Sequence, residues 1–202
     1  MTHRSFLISM SLLAIILSPA HAVVTVDPSH PDILYTGRWN HGNPSQPATY
    51  WIGSSIIVNF EGTSVAATFS AGSSDHFRVI IDDDAASSAK IPAGSGSNTH
   101  LLASGLTDTV HKLEIVKETD SGTWTLEGLE LDDGKSLVTP PARPPRRITF
   151  YGDSNLAGYS LEHEQNQSGM DLRGSFYGYA GITSRILDAE YHNVSRSGAT
   201  IS

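Results

Sequence analysis

The chain has 202 residues, with 21 acidic against 13 basic side chains and a formal net charge of −8 at pH 7. Nucleic acid and anionic membrane surfaces are bound through clustered Lys and Arg, so neither suits this chain, whereas a neutral polymer such as a polysaccharide does. Cysteine is absent, which excludes disulfides, thiol nucleophiles and cysteine-based metal sites.

At the N-terminus, Met1-Thr-His-Arg4 precedes an apolar run from Phe6 to Leu17 and then Ser18-Pro-Ala-His-Ala22. That run is about a dozen residues long, whereas a membrane-spanning helix needs roughly 20. With its A-x-A ending, the pattern predicts a signal peptide over residues 1–22, cleaved after Ala22. The mature protein is therefore expected to be secreted or periplasmic, with no membrane in its mature form.

Residues 23–138 read as short strands broken by turn residues, the pattern of a β-sandwich. Ser54–Phe60 and Thr63–Phe69 flank Glu61-Gly62 and predict a strand pair around a tight turn. His76–Ile81 alternates and runs into the acidic turn Asp82-Asp-Asp84. In Val110–Val116, Val110, Leu113 or Ile115 alternate against Lys112, Glu114 and Lys117, and Thr123–Leu131 puts Leu129 and Leu131 on one face. Three aspartates in a row lack the alternating ligand spacing of a calcium loop, so 82–84 is expected to be a solvated turn. Trp39, Trp51 and Trp124 are expected in the sandwich core rather than on a sugar-stacking surface.

The composition then shifts. Thr139-Pro-Pro-Ala-Arg-Pro-Pro145 is stiff and extended, because each proline fixes its own φ and disfavours helix in the residue before it. Residues 139–146 are thus a Pro-rich linker, and 147–202 open a second, α/β unit. Arg147–Tyr151 predicts a strand. Ser175–Glu190 predicts a helix with Phe176, Tyr179, Ile182, Ile186 and Leu187 on one apolar face, and Tyr191–Ser197 the next strand.

Chemistry concentrates in Phe150-Tyr-Gly-Asp-Ser-Asn155. A serine just past the carboxyl end of the first parallel strand lies where α/β sheets carry their sites. It needs a base to become a nucleophile and donors aimed at the developing oxyanion. Gly-Asp-Ser alone is equally a turn sequence. A second peptide, Ser197-Gly198, follows the second predicted strand.

With both peptides in this order, the sequence resembles the SGNH (GDSL-type) hydrolases. Gly152, Asp153 and Ser154 match their first block and Gly198 the glycine of their second. Upstream, Tyr35-Thr-Gly-Arg-Trp39, Tyr50–Ser55, Phe60-Glu-Gly-Thr-Ser-Val65 and Phe77–Asp82 resemble the N-terminal jelly-roll domain of carbohydrate esterase family 2. The resemblance implies a jelly-roll β-sandwich followed by a truncated SGNH domain with a flavodoxin-like parallel sheet. It further implies a serine ester hydrolase, of the acetyl xylan esterase kind, that removes acetyl groups from xylan- or mannan-type polysaccharide without a metal or organic cofactor.

By that resemblance Ser154 is the nucleophile, and the N–H groups of Ser154 and Gly198 hold the oxyanion. Gly152, Asp153 and Asn155 support them, Asp153 by ordering the loop. The family's oxyanion asparagine and its catalytic histidine are expected beyond residue 202, so residues 23–202 alone are expected to be inactive. His163 reads as a solvated loop side chain, His192 as a residue at a helix C-terminus, and Arg38 as structural. The alternatives are a non-catalytic carbohydrate-binding or adhesion module and an inactive gene fragment.

Overall fold

The computed structural model describes residues 22–72, 74–162 and 169–200. The signal-peptide residues 1–21 and His163 lie outside them. In chain order the strands are β1 (Val23–Val26), β2 (Leu34–Thr36), β3 (Ala48–Thr49), β4 (Ser55–Gly62), β5 (Val65–Ala71), β6 (His76–Ile81), β7 (Ala89–Pro92), β8 (Gly96–Ala103), β9 (Thr109–Lys117), β10 (Trp124–Asp132), β11 (Leu137–Val138), β12 (Arg146–Gly152) and β13 (Ala189–Ser195). Among the described residues there is one α-helix, α1 (Tyr179–Ile186), which precedes β13. Among the described residues no helix is long and apolar enough to cross a membrane.

Two antiparallel sheets face each other. One runs β1-β10-β5-β8 with β3 added beside β10, and the other runs β11-β4-β9-β6-β7 with β2 added beside β4. Between them the core is built on Phe60, Phe69, Phe77 and Trp124, all buried, with the Phe69 and Trp124 rings stacked at 4.3 Å. Trp39 packs against this core and donates Nε1–H to Thr36 O at 2.9 Å. Trp51 departs from expectation: it is only half-buried, and the Arg38 guanidinium lies 4.7 Å over its ring.

The strand pair expected around Glu61-Gly62 does not form. β4 and β5 belong to opposite sheets, with β4 paired to β9 and β5 to β10 and β8. Alternate apolar residues of both strands point into the same interior, so the chain crosses between sheets instead of folding back on itself. Asp132 closes that crossing by accepting from Thr63 N–H at 2.5 Å, Thr63 Oγ1 at 2.8 Å, Ser64 N–H at 3.2 Å and the Ser64 hydroxyl.

Residues 139–145 contain no helix or strand, and Arg143 within them reaches Tyr35 O at 2.9 Å and Glu190 Oε2 at 2.8 Å. Beyond them β12 and β13 pair in parallel, in register from Arg146↔Ala189 to Gly152↔Ser195. This segment packs on the outer face of the second sheet, where Ile80 and Val116 meet Phe176. Strands β6 and β9 are consequently covered on both faces, which is why Val79-Ile-Ile81 is a continuous apolar run.

The helix is shorter than the sequence suggests, and its faces are reversed. Phe176 precedes it and is buried, whereas Tyr179 is 59% exposed and Ile186 77%. Its buried residues are the small Ala180, Gly181 and Ser184. Close approach decides this: a Cβ on Gly181 would lie 2.6 Å from Ser175 O, so only a small-residue face fits there. His192 lies inside β13, opposite Thr149, not at a helix end, and its Nε2 is 2.8 Å from Glu190 Oε1.

Candidate active site

Parallel pairing determines the site's layout. Because Gly152 and Ser195 are partners at the ends of β12 and β13, the next residues of both strands leave the sheet at the same end. Asp153-Ser-Asn155 and Arg196-Ser-Gly198 therefore form neighbouring loops, joined by the Arg196 N–H bond to Gly152 O at 3.3 Å. An open hollow of about 640 Å³ lies beside them, lined by Tyr151, Gly152, Asp153, Val194, Ala199 and Thr200.

The first loop is turned tightly. Ala157 N–H donates to Asp153 O at 3.1 Å and Tyr159 N–H to Ser154 O at 2.9 Å. Asp153 Oδ1 accepts from the Asn155 N–H at 3.0 Å and from its Nδ2 at 3.2 Å, an Asx turn that fixes the residue between them. Ser154 is that residue. Its side chain is half-buried, and Oγ has no hydrogen-bond partner among the described residues. Gly152 is required by close approach, since a Cβ there would meet the buried Leu156 Cβ at 2.8 Å. In the second loop, Gly198 sits at φ +80°, a left-handed conformation that L side chains rarely adopt. Ala199 N–H closes this turn on Arg196 O at 3.0 Å.

The second loop, and the segment between the two loops, are held from the sandwich by residues that no sequence pattern singles out. The β9–β10 turn carries two carboxylates. Glu118, fully buried, accepts from the Phe176 N–H at 3.0 Å, Ser175 Oγ at 3.1 Å and Arg78 Nε at 2.5 Å. Asp120 accepts from the Ser197 N–H at 2.9 Å and pairs with Arg173. Arg78 also pairs with Glu162, and Lys90 bridges Glu162 at 3.2 Å and Asp171 O at 2.5 Å. In sequence, Lys117-Glu-Thr-Asp-Ser-Gly122 has only the polarity of an ordinary turn.

Lys117 itself corrects an expectation. Placed on the polar face by the alternation, it is 1% exposed, with Nζ on Asp75 Oδ1 at 2.6 Å and on Ser121 O at 2.8 Å. Burial pushes its pKa down, opposed by the Asp75 charge. Of the three acidic-turn residues, Asp82 bonds His111 and the Lys112 N–H, Asp83 pairs with Lys112, and Asp84 caps a short 3-10 turn. Their carboxylates therefore diverge. Among the described residues no group of three or more metal-ligating side chains converges.

The family model described as carbohydrate esterase 2 N-terminal matches residues 35–141. The chain belongs to carbohydrate esterase family 2. It is 31% identical over 177 residues to the cellulase/esterase CelE of Acetivibrio thermocellus, covering 86% of this chain and 22% of that protein. It is similar to a family two carbohydrate esterase from Clostridium thermocellum solved in complex with cellohexaose, at 30% identity and a TM-score of 0.75, over 82% of this chain and 51% of that one. A family two carbohydrate esterase from Cellvibrio japonicus shares the fold at a TM-score of 0.80 and 22% identity, over 88% and 53% of the two chains. This family 2 chain thus spans about half the length of the solved esterases it matches.

Proposed function

We propose that this chain forms the front part of a secreted SGNH-type serine esterase that removes acetyl groups from plant polysaccharide, with Ser154 as nucleophile. The reading is supported by one observation above all: the parallel register Gly152↔Ser195 sends the Ser154 and Gly198 loops off the same end of the sheet. Ser154 is half-buried, and the open hollow beside its loop is lined by the preceding Asp153 and by Ala199, which follows Gly198.

In the proposed reaction Ser154 Oγ attacks the acetyl carbonyl carbon and gives its proton to a general base. The negative charge that develops on the carbonyl oxygen is met by the N–H groups of Ser154 and Gly198. The carbon–oxygen bond to the sugar breaks, the sugar oxygen takes up the proton, and an acetyl-enzyme remains. Water, deprotonated by the same base, then attacks this ester and releases acetate. His192 is not suited to be that base, because it lies inside β13 opposite Thr149, three residues back from the strand ends that carry the Ser154 and Gly198 loops. We assign the base to a histidine in polypeptide following residue 202, and the domain division to a sandwich over 23–138, a linker over 139–146 and an SGNH unit from 147.

Ser154→Ala in the full-length protein is the test. Release of acetate from acetylated xylan and of nitrophenol from 4-nitrophenyl acetate should fall at least a thousandfold, with an unchanged circular dichroism spectrum. Turnover within tenfold of the parent would remove Ser154 from the mechanism.

A further inference from the structure

We propose that Asp120, a sandwich residue, is a positioning residue for the oxyanion loop: its carboxylate fixes the Ser197 N–H and thereby aims the next amide, that of Gly198. The inference rests on the reading of Ser154 and Gly198 given above.

The loop cannot hold itself. Gly198 is exposed, sits at φ +80°, and has nothing within 4 Å of the place a Cβ would take, so no side-chain packing restrains it. Among the described residues, apart from its own closing turn, it has two anchors. One is Arg196 N–H on Gly152 O at 3.3 Å, which ties it to the nucleophile's strand. The other is Ser197 N–H on Asp120 Oδ2 at 2.9 Å, across 77 residues of sequence. A carboxylate acceptor makes the shorter and stronger kind of hydrogen bond, and Asp120 is 7% exposed, so water competes little for it.

Anchoring Ser197 matters because an oxyanion donor is effective only when its direction is set before the reaction. A bare carboxylate one residue from that donor would oppose the developing negative charge. Arg173, itself buried, pairs with Asp120 and offsets that charge. The pair therefore gives a strong acceptor with little net field at the oxyanion.

The test compares Asp120→Ala with Asp120→Asn in the full-length protein, with Ser154→Ala alongside and kcat expressed per folded molecule. Asparagine loses the charge pair with Arg173 but keeps an oxygen that can accept from Ser197. Alanine should lower kcat about ten- to a hundredfold with KM within twofold, the scale of a misaimed rather than a deleted donor. Asparagine should restore kcat to within about fivefold. A purely structural role predicts the opposite pattern: similar losses of melting temperature in both variants with kcat per folded molecule unchanged, and that result would overturn the proposal. If Ser154→Ala is inactive while Asp120→Ala keeps full kcat, only the Asp120 assignment falls. If Ser154→Ala is active, the underlying reading fails, and with it this one. Should Asp120→Ala not fold, amide exchange in the Ser154→Ala protein decides. Ser197 N–H exchanging at least tenfold slower than Gly198 N–H supports the anchor, and equal rates refute it.

Discussion

In the proposed site, Gly152 and Gly198 are needed for different reasons. Gly198 is needed for its backbone conformation, since its φ of +80° strains any residue with a Cβ and the space around it is open. Gly152 is needed for space, because the loop after β12 returns Leu156 to within contact of its Cα. Gly152→Ala would place a Cβ 2.8 Å from Leu156 Cβ and 3.0 Å from Cδ2, and Leu156 is itself buried with no free side to move to. The substitution is expected to cost about 1–3 kcal/mol of stability in denaturant unfolding. Because the displaced loop carries Ser154, kcat should fall more than KM changes.

At the scale of elements, the informative piece is the crossing between β4 and β5. A two-residue connection at Thr63-Ser64 leaves backbone N–H groups with no ladder partner, and Asp132 at the end of β10 accepts from both of them and from both hydroxyls. The Ser64 hydroxyl bond foremost, with the Thr63 bonds, pulls the Asp132 pKa down to about 2 from an ordinary 3.8. A carboxylate depressed on folding stabilises the fold above its unfolded pKa and loses that contribution as the pH falls through its folded one. Asp132→Ala should therefore lower stability by about 1 kcal/mol at neutral pH. The gap between variant and parent should narrow as the pH is taken from about 4 toward 2, followed by thermal unfolding across that range. Strand β10 carries a second local device. Trp124 and Leu126 point inward on even positions, and the register shift before Gly128 transfers inward facing to Leu129 and Leu131.

Across the whole molecule, the sandwich and the α/β segment share a polar interface that ends at the site. Arg78 from β6 and Glu118 from the β9–β10 turn form a buried pair whose remaining capacity holds Phe176 N–H, Ser175 and Glu162. Removing one member of such a pair strands the other's charge out of water. Glu118→Ala should cost about 3–5 kcal/mol, measured by denaturant unfolding. Glu118→Gln, which keeps an acceptor for the Phe176 amide, should cost less. Hydrogen exchange separates the two further: the Phe176 amide should lose protection in the alanine variant and keep most of it in the glutamine one. The segment that follows Ser154 is thus as dependent on the sandwich as on its own strands.

Period-two alternation made β4, β5, β6, β9 and β10 legible, because a strand buried on one face records that face directly, whereas β1, β2, β3, β7, β8 and β11 were not singled out. β6, β9, β12 and β13 fall within a residue or two of where the sequence reading puts them. Gly152-Asp-Ser154 and Gly198 were legible as motifs, since each needs particular residue types at a strand end. Partner choice was not. β4 and β5 alternate as hairpin strands would, and only the closure of two sheets over one core sends them apart. The helix faces were reversed because the sequence shows which residues are apolar but not which surface lies close enough to demand small ones. Nothing local marks Lys117, Glu118 and Asp120 as buried, because their partners Asp75, Arg78, Arg173 and Ser197 lie some 40 to 80 residues away. Local sequence therefore specified the strands and the chemical groups at their tips. Burial at the packed interface, which no local pattern encodes, decided which charges are paired and which loops they hold.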